Sequence, residues 1–281
     1  MYEAPRLSPD DRRLAVGTVD LEGNFTGGGV WLLDLSTGAR QRLVEDGAGG
    51  RAEWSRDGAR VLFLRDRDGQ REIVARAWDR SAADGVLARD SASSLYELAV
   101  GPRGGWSAMR VQTNEPRRVF IAPSDSLQHR RRLNDASVSP EFQPSVSADG
   151  SLVAYVSGES GRNEVYLQPL PGPGPRLQVS VEGGVEPVWS KTGHTLFYRG
   201  PTHVMAAEIG SAPARIIGRE QLFADAFIRS PTLSDQWWDV FSDGRRFIMM
   251  QPVRRQAPRS ISIVVNWQQA AALQRGGGER E

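Results

Sequence analysis

Val146-Ser147-Ala148-Asp149-Gly150, followed at once by Val153-Ala154-Tyr155-Val156, places an apolar residue, a polar turn and a β-rich run in succession. Asp-Gly tolerates the positive φ that a tight hairpin turn demands, so the stretch reads as two strands joined by a turn. The same pattern recurs along the chain. Its other copies are Ser8-Pro9-Asp10-Asp11, Ser55-Arg56-Asp57-Gly58, Gly101-Pro102-Arg103-Gly104, Ser190-Lys191-Thr192-Gly193 and Phe241-Ser242-Asp243-Gly244. The fourth positions, 11, 58, 104, 150, 193 and 244, are separated by 47, 46, 46, 43 and 51 residues. A repeat of ~40–50 residues made of short strands is one blade of a β-propeller.

Each turn is preceded by an apolar residue (Leu7, Trp54, Val100, Val146, Trp189, Val240) and followed by a buried-strand run such as Val61-Leu62-Phe63-Leu64 or Phe247-Ile248-Met249-Met250. A third strand is predicted in every unit, at 30–33, 73–78, 119–122, 165–168, 204–207 and 261–265. A weaker fourth is predicted at 42–43, 86–88, 132–133, 177–179 and 221–223. The expected fold is therefore all-β, a six-bladed propeller of four-stranded antiparallel blades. The middle strands are nearly continuously apolar because a blade is covered on both faces. The units fall at about 1–50, 51–94, 95–140, 141–184, 185–231 and 232–267, with 268–281 as a helical or irregular tail. Pro169-Leu170-Pro171-Gly172-Pro173-Gly174-Pro175 reads as a stiff loop, since four of its seven residues have no backbone donor.

Unit six supplies only three predicted strands before Gln268-Gln269-Ala270-Ala271-Ala272-Leu273 takes over with helical composition. Closed propellers remove the edges of their first and last blades, commonly with a strand from the N-terminus, so the closing strand is expected upstream of Met1. The open edge would then favour self-association.

Composition bounds the function. The 281 residues carry 35 basic and 34 acidic side chains, a net charge of +1, which gives no global field for nucleic acid or an anionic membrane. Lys191 is the only lysine. There is no cysteine, hence neither a disulfide framework nor a thiolate metal site. No run approaches the ~20 apolar residues of a membrane span, and residues 1–20 lack a basic-then-apolar leader pattern. The compartment is left open.

No complete catalytic constellation is found, and the protein is expected not to be an enzyme and to need no cofactor. His129-Arg130-Arg131-Arg132-Leu133-Asn134 has the outline of a kinase catalytic loop, but Arg131 occupies the position of the base and no Asp-Phe-Gly accompanies it. Asp66-Arg67-Asp68-Gly69 starts like a calcium loop and continues into a strand with no glutamate at the twelfth position, so a β-turn explains it. His129, His194 and His203 form no i, i+4 pair. Gly158-Glu159-Ser160-Gly161 is a hairpin turn and not a nucleophile elbow. Trp54 and Trp189 share one repeat position, which points to blade packing and away from a stacking platform.

Propellers converge their innermost strands on a central channel. The residues four before each turn are Ala4, Arg51, Glu97, Gln143, Glu186 and Trp237. Four of these six are polar, so Arg51, Glu97, Gln143, Glu186 and Trp237 are the expected ligand-binding positions at a water-filled channel mouth. Both charge signs with one aromatic suit a peptide-like or small polar ligand.

The turns and the strands behind them resemble the TolB-type propeller repeat, a relative of the WD-type repeat, over essentially the whole chain. Three segments resemble more narrowly the C-terminal propeller of bacterial serine/threonine protein kinases: Pro5 to Asp10, Val153 to Tyr166, and Asp243 to Trp267. The resemblance implies a sensor or interaction module for a protein or peptide partner, on the extracytoplasmic side of a bacterial membrane if it ends a receptor-like kinase. An accessory propeller of a prolyl-oligopeptidase-type hydrolase and a free-standing periplasmic scaffold are the alternatives. Fold alone does not choose among them.

Overall fold

A computed structural model describes residues 2–18, 29–45, 48–90, 94–102, 104–112, 116–135, 137–172, 174–191, 193–210, 213–230, 236–251 and 261–264. The turn that defines the repeat is held by its own side chains. Ser147 Oγ donates to Asp149 Oδ1 at 2.6 Å and accepts from Leu152 N at 3.0 Å, while Ser151 N donates to Asp149 Oδ1 at 3.1 Å. Gly150 sits at φ 74°. Ser8 with Asp10 and Ser55 with Asp57 repeat the arrangement. Partial burial pushes Asp10 up, but the bonds from Ser8 and Arg12 N outweigh it and hold the carboxyl below its ordinary value. In the third copy Gly101 replaces the serine because a Cβ there would lie 1.8 Å from the Trp106 carbonyl oxygen.

Strand order follows chain order in every sheet. The first holds β1 (Tyr2–Leu7), β2 (Arg13–Thr18), β3 (Val30–Asp34) and β4 (Arg40–Val44). The second holds β5 (Ala48–Trp54), β6 (Arg60–Arg67), β7 (Gln70–Ala77) and β8 (Gly85–Asp90). The third holds β9 (Ser94–Ala99), β10 (Trp106–Gln112), β11 (Arg118–Pro123) and β12 (Arg131–Arg132). The fourth holds β13 (Glu141–Val146), β14 (Leu152–Ser157), β15 (Glu164–Pro169) and β16 (Leu177–Gln178), with the proline-rich loop between the last two. The fifth holds β17 (Val185–Trp189), β18 (Thr195–Arg199), β19 (His203–Gly210) and β20 (Arg215–Ala224).

These five are the four-stranded blades of the structure, where six were expected. The remaining sheet has three described strands, β21 (Trp238–Val240), β22 (Phe247–Met250) and β23 (Ile261–Val264). Position 265 and the tail 268–281 lie outside the described residues, as does any fourth strand of this sheet.

Apolar clusters join each sheet to the next and bring the last back to the first. Phe142, Val156, Val165, Trp189 and Tyr198 are among those packing blade four on blade five. Phe197, Phe223, Trp238 and Phe247 fill the next interface, with Phe247 edge-on to Phe223 at 5.2 Å and to Phe197 at 5.5 Å. Leu7, Leu14 and Val16 meet Phe241 and Ile248 at the seam between the first and last sheets. The arrangement places all six inner strands around one axis and all six repeat turns at one end of it. Burial on both faces explains β14, in which every residue from Leu152 to Ser157 is buried.

Candidate functional site

The inner strands are bulged where the ligand positions were expected. Pairing slips between Glu3 and Arg6, between Phe142 and Ser145, and between Val185 and Val188. Each slip holds a residue at positive φ followed by a proline: Ala4 (43°) before Pro5, Gln143 (52°) before Pro144, and Glu186 (53°) before Pro187. A proline has no N–H to give the ladder, so it is accommodated at a bulge.

The bulge turns the preceding side chain away from the channel and toward the neighbouring blade. Glu97 Oε2 accepts Gln143 N at 2.7 Å, Gln143 Oε1 accepts Glu186 N at 2.8 Å, and Glu186 Oε2 accepts Trp237 N at 2.7 Å. Four of the expected positions thus form a relay in which the backbones of blades four and five and of the last sheet are each capped from the blade before. Glu97, Gln143, Glu186 and Trp237 are all buried, Gln143 and Glu186 completely. Their expected place at an open channel mouth is corrected on this point: they are blade-to-blade fasteners, as buried backbone donors require partners. Ala4 and Glu97 line a small cavity of about 20 Å³. Arg51 lies in β5, and its side chain falls outside the described residues.

Burial pushes Glu186 above the ordinary carboxylate range, against the pull of Arg199 at 3.5 Å. Arg199 in turn holds Asp225 through Nε at 2.8 Å and Nη2 at 2.6 Å, which places a fully buried charge network under blade five. The tryptophans fasten blades too. Trp54 Nε1 donates to Arg6 O at 3.0 Å and Trp189 Nε1 to Ser145 O at 3.1 Å, the same step in two different interfaces.

The channel opens at the turn end into a cavity of about 320 Å³. Two other repeat positions line it. The residue two before each turn contributes Arg6, Glu53, Ala99, Ser145, Val188 and Asp239; the second turn residue contributes Pro9, Arg56, Ala148, Lys191 and Ser242. Charge is concentrated in Arg6, Glu53 and Asp239 of the first, second and last sheets and in Arg56 and Lys191, while Ala99, Ala148, Ser145 and Val188 make a smaller, less polar wall. The sequence carried this signal in Arg56 and Lys191, two cations at one repeat position where Pro and Ala also occur. It was hidden because the reach of a turn residue across the channel shows only once the ring has closed.

Most of the channel charges are already engaged. Arg6 Nε meets Glu53 Oε2 at 3.0 Å, and its Nη2 meets Gln236 Oε1 at 2.6 Å. Asp239 Oδ2 accepts Leu7 N across the seam at 2.7 Å. Lys191 spans from blade five to blade one, donating to Ser8 O at 2.8 Å and to Asp11 Oδ1 at 2.9 Å. Asp11 also accepts Ser242 N at 2.8 Å, and it holds φ 59° at the turn position where four other repeats have a positive-φ glycine. Arg56 reaches from blade two to Val100 O and Val146 O, both at 2.8 Å. Burial pushes Glu53 upward, Arg6 opposes it and Asp239 adds to it, although a quarter of its side chain still faces the channel. Among the described residues no group of three His, Asp or Glu side chains is placed to hold a metal ion.

No protein-family profile matches the sequence. It is 28% identical over 107 positions to the Tol-Pal system protein TolB of Xanthomonas oryzae pv. oryzae, covering 36% of this chain and 24% of that protein. The match therefore spans about a quarter of the relative's length. The solved TolB of Acinetobacter baumannii superposes with a TM-score of 0.67 at 12% identity, over 92% of this chain and 62% of that one. The fold is a TolB-like β-propeller. A putative TolB from Agrobacterium tumefaciens gives 0.59 at 17% identity over 80% and 82% of the two chains. An oligogalacturonate lyase in complex with manganese gives 0.62 at 13% identity over 94% and 73%. At such identities the likeness is one of fold alone, and proteins named as TolB and as a lyase share it.

Proposed function

We propose that this protein is a non-catalytic binding module that takes a protein or peptide segment into the turn-end mouth of its central channel. The observation that carries the reading is the 320 Å³ cavity, ringed by repeat turns and lined on one side by charged groups and on the other by small side chains. A recess with a few convergent polar groups suits an extended segment better than a flat protein surface. The TolB-like fold supports the same reading, because the similar Xanthomonas protein is named as a member of the Tol-Pal system and the Acinetobacter one as TolB. That likeness favours a periplasmic scaffold. The finer role of sensor at the end of a receptor-like kinase rests on the three segments quoted above.

The test is capture with a blocked channel. Ala148→Trp fills the less polar wall of the mouth, and Ala148 lies on a turn, so the ring should fold unchanged. Proteins retained by the wild type and lost by Ala148→Trp support channel binding, whereas identical retained sets would refute it. Release of unsaturated uronate from oligogalacturonate with manganese present would instead establish a lyase and overturn the non-catalytic assignment.

A further inference from the structure

Of the three cations in the channel mouth, Arg56 alone makes no ion pair among the described residues. Arg6 is matched with Glu53 at 3.0 Å and Lys191 with Asp11 at 2.9 Å. The bonds of Arg56 go to three backbone carbonyls, Val100 O through Nε at 2.8 Å and Val146 O and Ser147 O through Nη2 at 2.8 and 3.5 Å, which leaves Nη1 without a hydrogen bond among the described residues, and the side chain lines the cavity. A guanidinium offers five donors in a planar fork that matches a carboxylate. The protein around it pulls the Arg56 pKa down, with Glu53 and Asp239 opposing, although the residue itself is exposed at the mouth.

Lys191 shows how an anion is held in this mouth. Asp11 is an internal carboxylate fixed between that ammonium and the Ser242 N–H, in a backbone conformation the other repeats give to glycine. The two remaining carboxylates are spent, Asp239 on Leu7 N and Val240 N, and Glu53 on Arg6. Unspent donor capacity is thus concentrated at Arg56, in the same cavity as Lys191.

We propose that the turn-end mouth is a carboxylate-binding subsite, with Arg56 as the primary partner and Lys191 beside it. The inference rests on the channel-binding reading and names the group that the bound segment must carry. An aspartate or glutamate side chain and the terminal carboxylate of a polypeptide offer the same group.

Three capped or free tripeptides separate the possibilities: Ac-Gly-Asp-Gly-NH2, Ac-Gly-Gly-Gly-OH and the neutral Ac-Gly-Asn-Gly-NH2. Affinity is measured by calorimetry. Position is read from the acetylation rate of Lys191, the only lysine in the sequence, by mass spectrometry with an N-hydroxysuccinimide ester. A charge-assisted bond predicts binding of at least one carboxylate peptide about tenfold or more tighter than the Asn peptide, with Lys191 protected. Whichever carboxylate peptide binds identifies the source. In Arg56→Gln, which keeps an amide donor but no charge, that preference should vanish. Equal binding of all three peptides with Lys191 protected would overturn carboxylate recognition and leave the channel reading standing. No binding and no protection by any peptide would overturn both. Carboxylate binding that persists in Arg56→Gln, or that leaves Lys191 unprotected, places the site elsewhere and overturns the assignment.

Discussion

Replacing Glu186 by alanine separates a fastener from a ligand contact. In the wild type its carboxylate accepts Trp237 N at 2.7 Å and Ser230 N at 3.3 Å, with Arg199 3.5 Å away. Alanine leaves both buried N–H groups without that acceptor, at about 1–3 kcal/mol each, with the longer bond at the low end. Breaking a buried ion pair costs about 3–5 kcal/mol when a charge is left alone. Arg199 keeps both bonds to Asp225, so that full cost is not reached. The net expectation is a loss of about 3 kcal/mol, or about 6 °C in Tm at the ~2 °C per kcal/mol of a large domain. Glu186→Gln keeps one acceptor oxygen and removes a charge that burial disfavours, so its loss should be about 1 kcal/mol. The assay is thermal and urea unfolding followed by near-UV circular dichroism. An alanine variant melting within about 1 °C of wild type, or a glutamine variant as damaged as alanine, would refute the relay of blade-to-blade bonds.

Two further outcomes follow from the same packing. Burial pushes Glu141 upward, against a 2.9 Å bond from Asn134, and its Oε2 has no partner among the described residues. The native state therefore binds its proton more tightly than the unfolded state does, and stability should fall as pH rises from about 4.3 through the raised native value. Glu141→Gln should remove that decline and stabilise the protein at pH 7 by about 1 kcal/mol, which urea titrations at pH 4.5 and 7 would check. Gly150 and Gly69 share φ values of 74° and 73°, but a Cβ at Gly150 meets Pro102 Cγ of the preceding blade at 2.6 Å while Gly69 faces open space. Gly69→Ala should cost about 1 kcal/mol and Gly150→Ala clearly more; equal melting temperatures would contradict the contact.

The repeat was legible in the sequence because its turn is locally self-sufficient. Ser, Asp and Gly at fixed offsets close the turn with their own side chains, whatever surrounds them, and the apolar runs on either side become strands by necessity. Most outer strands were legible to within a few residues, whereas β20 begins six residues before the expected 221–223. Which inner-strand residues face the channel was not legible by alternation. Pro5, Pro144 and Pro187 were the visible sign, since a proline in an inner strand implies a bulge, and a bulge reverses the direction of every side chain before it. The side chain of Glu186 consequently enters an interface, and that of Asp239 faces the axis. Cross-channel reach was also beyond counting: Lys191 finds Asp11, 180 residues earlier, only once the ring has closed.

Hydrogen exchange of the protein with and without its captured partner tests channel binding most directly. The account predicts slowed exchange at the turns around 8–12, 55–59, 147–151 and 190–194, which surround the mouth, with the outer strands β8, β16 and β20 unchanged. Protection confined to those outer strands, with the turns exchanging as before, would contradict it.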